Sequence, residues 1–187
     1  MEKKILSSII VVGYNNCLDL KICFSSVLDN IKKNEVEVIY VDNNSTDDSV
    51  NTVDQLFPEI KIIKSSENCG FGAGCNLGAK NATGSILVFL NPDTKVTKGW
   101  LEELINPLVI DSNVGMTTNK ILQLKNPDRI NTCGNNLHLS GLSLCRGANY
   151  PKSEFSEPCY VNSVSGACFT IPKDLFFLLG GFDEVFF

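Results

Sequence analysis

A single carboxylate, Asp93, stands just beyond five consecutive apolar residues, Ile86 to Leu90, in the turn Asn91-Pro92-Asp93. A short apolar run closed by turn residues reads as a strand buried on both faces. In open α/β sheets, ligands bind just outside the carboxyl ends of such strands. A carboxylate there can hold a divalent cation, and the cation can hold a diphosphate. Asn, Pro and Asp also favour turns on their own account, so a plain tight turn is the competing reading. Two further polar clusters follow two further strand-like runs. Gly13-Tyr14-Asn15-Asn16 follows residues 5–12, and Asp42-Asn43-Asn44-Ser45-Thr46-Asp47 follows residues 36–41. In a parallel sheet all three clusters lie along one edge. Asp42 occupies the position where a carboxylate can accept from a base N–H or a ribose hydroxyl. A helix cap or Asx-turn is the alternative for the same residue.

The run from Asn68 to Asn76 carries glycines at 70, 72 and 74. A dinucleotide fingerprint wants Gly-x-Gly-x-x-Gly, and the required third positions hold Cys75 and Leu77, so that motif fails. The glycines suit either close approach of backbone to a ligand at a helix N-terminus or close helix–sheet packing. His138 is the one histidine, in an alternating stretch, and reads as structural or surface. No Ser-His-Asp or Cys-His arrangement is evident.

The elements that must position these clusters alternate. Strands are expected at residues 5–12, 36–41, 60–63 and 86–90. Helices are expected over 18–31, around 50–57 and over 71–82, with another from Trp100 to residue 108 after Gly99. Strands separated by helices mean βαβ units and a mostly parallel sheet. From 114 to 160 the chain turns loop-rich, with an alternating run at 136–144 that predicts a hairpin or mixed strands. Residues 161–172 predict two short strands around Ser165-Gly166-Ala167. The composition shifts near residue 112 without a linker, so 1–112 and 113–187 read as halves of one compact domain.

A length of 187 residues suits one domain, and 43% apolar with 20% charged residues is ordinary for a soluble protein. The net charge of −5 argues against nucleic acid as a partner. Eight cysteines without a Cys-x-x-Cys pair read as reduced thiols of a cytoplasmic protein, several of them small buried hydrophobes. On that reading the sequons at Asn43, Asn44 and Asn81 are chance. Residues 1–4 are charged, residues 5–12 are too short for a signal sequence, and no apolar run reaches about 18 residues, so no transmembrane segment is expected. The end of the chain, residues 180–187, sets two acidic residues among three phenylalanines, which suggests either that the polypeptide continues or that this end packs as an ordered terminus.

Taken in order, residues 11–16, 41–47, 68–78, 89–94, 164–167 and 180–184 resemble family 2 glycosyltransferases of the GT-A fold. The nearest subgroup is the rhamnosyltransferase-like enzymes of bacterial polysaccharide assembly. The resemblance implies a Rossmann-like, mostly parallel sheet flanked by helices, with a smaller mixed β region in the C-terminal half. It makes 1–112 the nucleotide-sugar-binding half and 113–187 an acceptor-side half truncated at its C-terminus. It implies inverting transfer from a nucleotide-diphospho-sugar to a hydroxyl of a glycan or lipid-linked acceptor, in the cytoplasm or peripherally at the inner face of its membrane. Donor contacts fall on Val12, Tyr14, Asn15, Asp42, Asn44, Gly70, Phe71, Gly74, Asn76, Asn91, Pro92, Ser165 and Gly166. Asp93 matches the last carboxylate of an Asp-x-Asp motif for Mg2+ or Mn2+, with Asn91 replacing the first. Asp183 and Glu184 lie on the acceptor side. Family members usually carry an acidic pair a few residues further on, which supplies the general base, and this sequence stops before it. A catalytically incomplete nucleotide-sugar-binding module is therefore the alternative. A Rossmann oxidoreductase is a third reading, disfavoured by the glycine spacing.

Overall fold

A computed structural model describes residues 6–186. Strand β1 (Ser7–Gly13) leads to α1 (Cys17–Asp29), β2 (Val36–Asp42), α2 (Ser49–Leu56), β3 (Lys61–Lys64), α3 (Gly70–Asn81), β4 (Ile86–Leu90) and α4 (Trp100–Ile110). Short strands follow: β5 (Thr117–Thr118), β6 (Ile121–Leu122), β7 (Ile130–Thr132), β8 (Asn135–Leu137) and β9 (Ser143–Cys145). Then come β10 (Cys168–Pro172) and α5 (Lys173–Leu178).

The main sheet runs β3-β2-β1-β4-β10-β5. Its first four strands are parallel, while β10 runs antiparallel to both β4 and β5. The fold is the α/β arrangement expected, a mostly parallel sheet with helices on both faces. Side-chain alternation assigns those faces. Ile9, Val11, Val38, Tyr40, Val88 and Leu90 pack with Leu20, Phe24, Trp100 and Leu104 on one side. Ile10, Val12, Ile39, Val41, Leu87 and Phe89 pack with Cys75, Ala79 and Phe176 on the other. Each large side chain buried this way contributes about 1.5–3 kcal/mol.

The expected elements of the first half appear within a residue or two, although Ile5, the expected start of β1, lies outside the described residues, as does Phe187. The hairpin expected over 136–144 is β8 with β9. Two expectations need correction. Residues 161–167 form no strand; they hold a single bridge, between Asn135 and Ser163. Inside this stretch Ser165 Oγ accepts from Ala167 N–H at 3.3 Å, a local side-chain bond that competes with a ladder. The helix α5 was not anticipated, because it is short and starts directly after Pro172, where Lys173 N–H bonds Ser85 O. Cys23, Cys75 and Cys168 are buried, as small hydrophobes, and His138 is exposed.

At the amino edge of the sheet, one carboxylate fastens the turn between α3 and β4. Glu37 accepts from Ser8 Oγ at 2.5 Å, from Thr83 Oγ1 at 2.7 Å, from Gly84 N at 3.2 Å and from Thr83 N. Partial burial pushes its carboxyl upward, but these hydrogen bonds outweigh it and hold the group below its usual range. A lowered folded value means the contribution is complete above the unfolded Glu value, about 4.3. It fades as pH falls from there through the folded value. Glu37→Gln should therefore cost about 1 kcal/mol at neutral pH, allowing for its partial exposure. It should also flatten the acid limb of a stability–pH curve measured by urea unfolding. An unchanged acid limb would contradict the assignment.

Candidate functional site

The carboxyl ends of β1, β2 and β4 lie along one edge, with Gly13 beside Asp42 in register. Because β10 is antiparallel, Cys168 sits beside Leu90, so the 165–167 loop arrives at the same edge. Asn91 N–H bonds Ala167 O at 2.9 Å and closes that junction.

The first two loops are stitched to each other. Asn15 takes the left-handed conformation (φ 55°), as does Asn44 (φ 65°), a region that Asn tolerates better than most residues. Asn15 Oδ1 accepts from Thr46 N at 2.8 Å and Asp47 N at 3.3 Å, and its own N–H bonds Ser45 Oγ at 3.0 Å. Asp47 Oδ2 accepts from Cys17 N at 3.2 Å, so the β2 loop caps α1. Slight burial raises the Asp47 carboxyl, yet hydrogen bonds from Ser49 and Cys17 hold it below its usual value. Tyr14 and Asn44 project to solvent on this rim.

Asp42 is buried, 3% exposed. Its Oδ1 accepts from Tyr40 Oη at 3.0 Å and its Oδ2 from Ser45 N at 3.1 Å. The second bond is the local turn contact weighed as the alternative for this residue. Burial, and then the neighbouring Asp42, push the Tyr40 hydroxyl well up, so it stays a donor.

The glycines of α3 divide between roles. Gly70 has φ +79° and its carbonyl accepts from Asn43 Nδ2 at 2.9 Å. A Cβ at Gly74 would stand 2.6 Å from Val12 Cγ1, so Gly74 and Val12 meet as a packing contact of helix on sheet. Phe71, at the start of the helix, is partly exposed and meets Phe182 edge-on at 6.0 Å. Asn76 is occupied from elsewhere. Its Nδ2 donates to Phe182 O and Glu184 Oε1, each at 2.9 Å, and its Oδ1 accepts from Phe182 N at 2.9 Å. Asp183 and Glu184 are thus held against α3, exposed, beside a cleft of about 340 Å³. Lys80, Phe176, Gly181 and Phe182 line that cleft, whereas Tyr14, Asp42, Asp93 and Ser165 do not.

On the β4 side, Asn91 and Pro92 are half-buried and Asp93 is exposed. Thr94 Oγ1 donates to Asn91 O at 2.7 Å and fixes the turn. Cys23 lies beneath it, and burial pushes its thiol up to about 12, Asp93 and Asp19 adding to the effect against a hydrogen bond with Thr94. Ser165 is buried, its N–H 3.4 Å from Thr118 Oγ1, while Gly166 faces open space.

The description "Glycosyl transferase family 2" matches residues 8–149, three of the four strand ends just described included. The chain belongs to this family. One relative is polypeptide N-acetylgalactosaminyltransferase 3 of Taeniopygia guttata, 27% identical over 164 residues, covering 79% of this chain and 27% of that protein. Among solved structures the chain resembles GalNAc-T7 with UDP, GalNAc and Mn2+, at TM-score 0.76 and 20% identity, over 98% of this chain and 38% of that one. It also resembles mannosyltransferase PcManGT from Pyrobaculum calidifontis in complex with GDP-Man and Mn2+. There the TM-score is 0.68 and the identity 17%, over 95% of this chain and 47% of that one. These likenesses establish the GT-A fold. The chain spans 27% of its curated relative and less than half of either solved protein.

The β4 turn, where the sequence expects a cation at Asp93, offers few ligands. Among the described residues no group of three His, Cys, Asp or Glu lies together. The Asp93 carboxylate accepts no hydrogen bond from any described residue, so it is free to take a ligand. One carboxylate suits a hard cation that draws its other oxygens from diphosphate and water. Several residues that build the rim were not singled out from the sequence: Asn43, Ser45, Asp47 and Thr118. The first three lie inside a motif that was noticed, and their turn-forming types were the available signal. Thr118 had none, since it reaches Ser165 across 47 residues.

Proposed function

We propose that this chain transfers a sugar from a nucleotide-diphospho-sugar to an acceptor hydroxyl, with inversion, in bacterial cell-surface polysaccharide synthesis. The observation that carries the reading is the convergence at one sheet edge of the Tyr14–Asn15, Asp42–Asn44, Asn91–Asp93 and Ser165–Gly166 segments, with a carboxylate left free at Asp93. Family membership and relatives whose names carry UDP, GDP-Man and Mn2+ support it. The relatives compared are named for N-acetylgalactosamine and mannose transfer, so the rhamnosyltransferase-like subgroup rests on the sequence motifs alone.

In this mechanism Tyr14 and Asn44 flank the base, and Asp42 is the acceptor at the nucleoside. Gly70 and Phe71 border the base and ribose at the start of α3. Asp93, with Asn91 and Pro92 shaping its turn, would hold Mg2+ or Mn2+, and the cation would supply positive charge against the leaving diphosphate. Ser165 and Gly166 border the sugar, and the open space at Gly166 leaves room for it. The acceptor hydroxyl, on a glycan or a lipid-linked glycan, attacks the anomeric carbon from the face opposite the diphosphate. A carboxylate takes its proton. Asp183 and Glu184 are the acceptor-side candidates, within the 113–187 half, and 1–112 is the donor half. The place of action in this reading is the cytoplasm or the inner face of its membrane; among the described residues no helix is long and apolar enough to cross one.

A second reading, donor binding without turnover, is favoured by the position of Glu184. It is tied to Asn76 beside a cleft that Asp93 does not line. Titration calorimetry with UDP, GDP and dTDP, with and without Mn2+, tests both. The expected result is Mn2+-dependent binding of at least one nucleotide, and no binding of any would overturn the assignment. Sugar transfer by this chain would reject the second reading, whereas binding without transfer would support it.

A further inference from the structure

We propose that Tyr40 is a positioning residue for nucleobase recognition: its buried hydroxyl fixes the Asp42 carboxylate as an acceptor, so that the nucleoside taken must offer an N–H on its base edge. The proposal rests on the nucleotide-sugar reading and deepens it.

Tyr40 is fully buried, so it does not touch a ligand itself. It acts through what it holds. Its Oη donates to Asp42 Oδ1 at 3.0 Å, while Ser45 N–H donates to Asp42 Oδ2 at 3.1 Å. On the other side, the Ser45 and Ser49 hydroxyls are hydrogen-bonding partners of the Tyr40 oxygen. Both serines accept in turn from the first rim loop. Asn15 N–H meets Ser45 Oγ at 3.0 Å, and Asn16 N–H meets Ser49 Oγ at 3.1 Å.

The two ends of this network have a fixed sense. A backbone N–H only donates, and a carboxylate only accepts. The amides therefore engage the serine oxygens as acceptors, the serine protons are free for the Tyr40 oxygen, and the phenol proton goes to Asp42. Asp42 is left with lone pairs alone to offer, in an orientation held at both oxygens. At 3% exposure it has room for little beyond one further contact.

A ribose hydroxyl donates, accepts and rotates, so it makes small demand on such rigidity. A planar base edge makes a large one, because its donors and acceptors stand at fixed places. Uracil and thymine carry N3–H where cytosine carries a lone pair. Guanine carries N1–H where adenine carries one. A lone pair set against Asp42 would leave a buried carboxylate repelled and without its partner.

Gly13, beside Asp42 in register, leaves space for the phenol. A Cβ there would stand 3.0 Å from Tyr40 Cε2 and 3.3 Å from Oη, so a methyl group would press on the ring that the network orients.

The test is titration calorimetry with UDP against CDP and GDP against ADP, with Mn2+ present. Wild type should favour the first member of whichever pair it binds about tenfold or more. Tyr40→Phe keeps the ring, which meets Phe24 edge-on at 5.8 Å, and removes only the oxygen. With Asp42 no longer held at Oδ1, the preference should shrink to within about threefold of unity. Gly13→Ala should shrink it in the same direction, and it serves as the second variant if Tyr40→Phe does not fold. Phe57→Leu thins the same aromatic cluster one ring further from the hydroxyl. It should lower the urea midpoint and leave the preference unchanged. No binding of any nucleotide by wild type would overturn the nucleotide-sugar reading, and this proposal with it. Binding without preference inside either pair, or a preference that survives in the folded variants at Tyr40 and Gly13, would overturn this proposal alone. So would an equal loss of preference in Phe57→Leu, since the ratio would then report stability rather than the hydroxyl.

Discussion

Asp93→Ala is expected to remove the Mn2+ dependence of nucleotide binding. Affinity for the best nucleoside diphosphate in Mn2+ should fall about a hundredfold, or about 2.7 kcal/mol, to the level seen without metal. The cause is the sparseness of the site. Among the described residues no group of three or more His, Cys, Asp or Glu is placed to hold a metal, so no ligand cluster takes over from it. A diphosphate facing a bare turn would meet no cation to offset its charge. Stability should barely move, within about 0.5 kcal/mol, because the side chain is exposed and accepts no hydrogen bond from the described residues. That contrast is the useful part of the measurement. A variant that keeps its urea midpoint and loses the metal effect places Asp93 at the cation. One that keeps the metal effect removes the β4 turn from the donor site.

Gly78→Val should be strongly damaging to the fold, costing about 3 kcal/mol or more. A Cβ at Gly78 would collide with Ile10 Cγ2 and stand 3.2 Å from Val41 Cγ2. Ile10 is 1% exposed and Val41 fully buried, and both belong to the central strands, so neither can move aside cheaply. Replacing glycine within a helix ordinarily gains up to about 1 kcal/mol of propensity, less for a β-branched residue, and the collision outweighs it. Gly99→Ala is the informative comparison. Nothing lies within 4 Å of its Cβ position, so its φ of +82° is the sole source of strain. Urea unfolding of both variants separates packing from backbone conformation, and a Gly78→Val midpoint near wild type would mean that α3 does not rest on β1 as described.

The central strands were legible because each carries four or five consecutive apolar residues, 9–12, 38–41 and 86–90, and ends in a cluster of turn residues. The edge assignment followed from topology alone. The glycine run was not legible in the same way. Its residues suit ligand approach and packing equally, and only the meeting of Gly74 with Val12 and of Gly78 with Ile10 in space assigns those two to packing. Asn76 shows the limit more sharply. Its partners lie more than a hundred residues away, at Phe182 and Glu184, and no local pattern points to them. Asp42 falls between these cases. Its position at the strand end was readable, but its burial and its bond to Tyr40 depend on the hydroxyl two residues earlier on the same face.

The asparagine links have a thermodynamic corollary. Asn15 joins the first loop to the second, Asn43 joins the second to the start of α3, and Asn76 joins α3 to the 182–184 segment. Little of this side of the molecule is left to freeze when a ligand arrives. The heat capacity change on association should then track the apolar area covered, without the surplus that accompanies coupled folding.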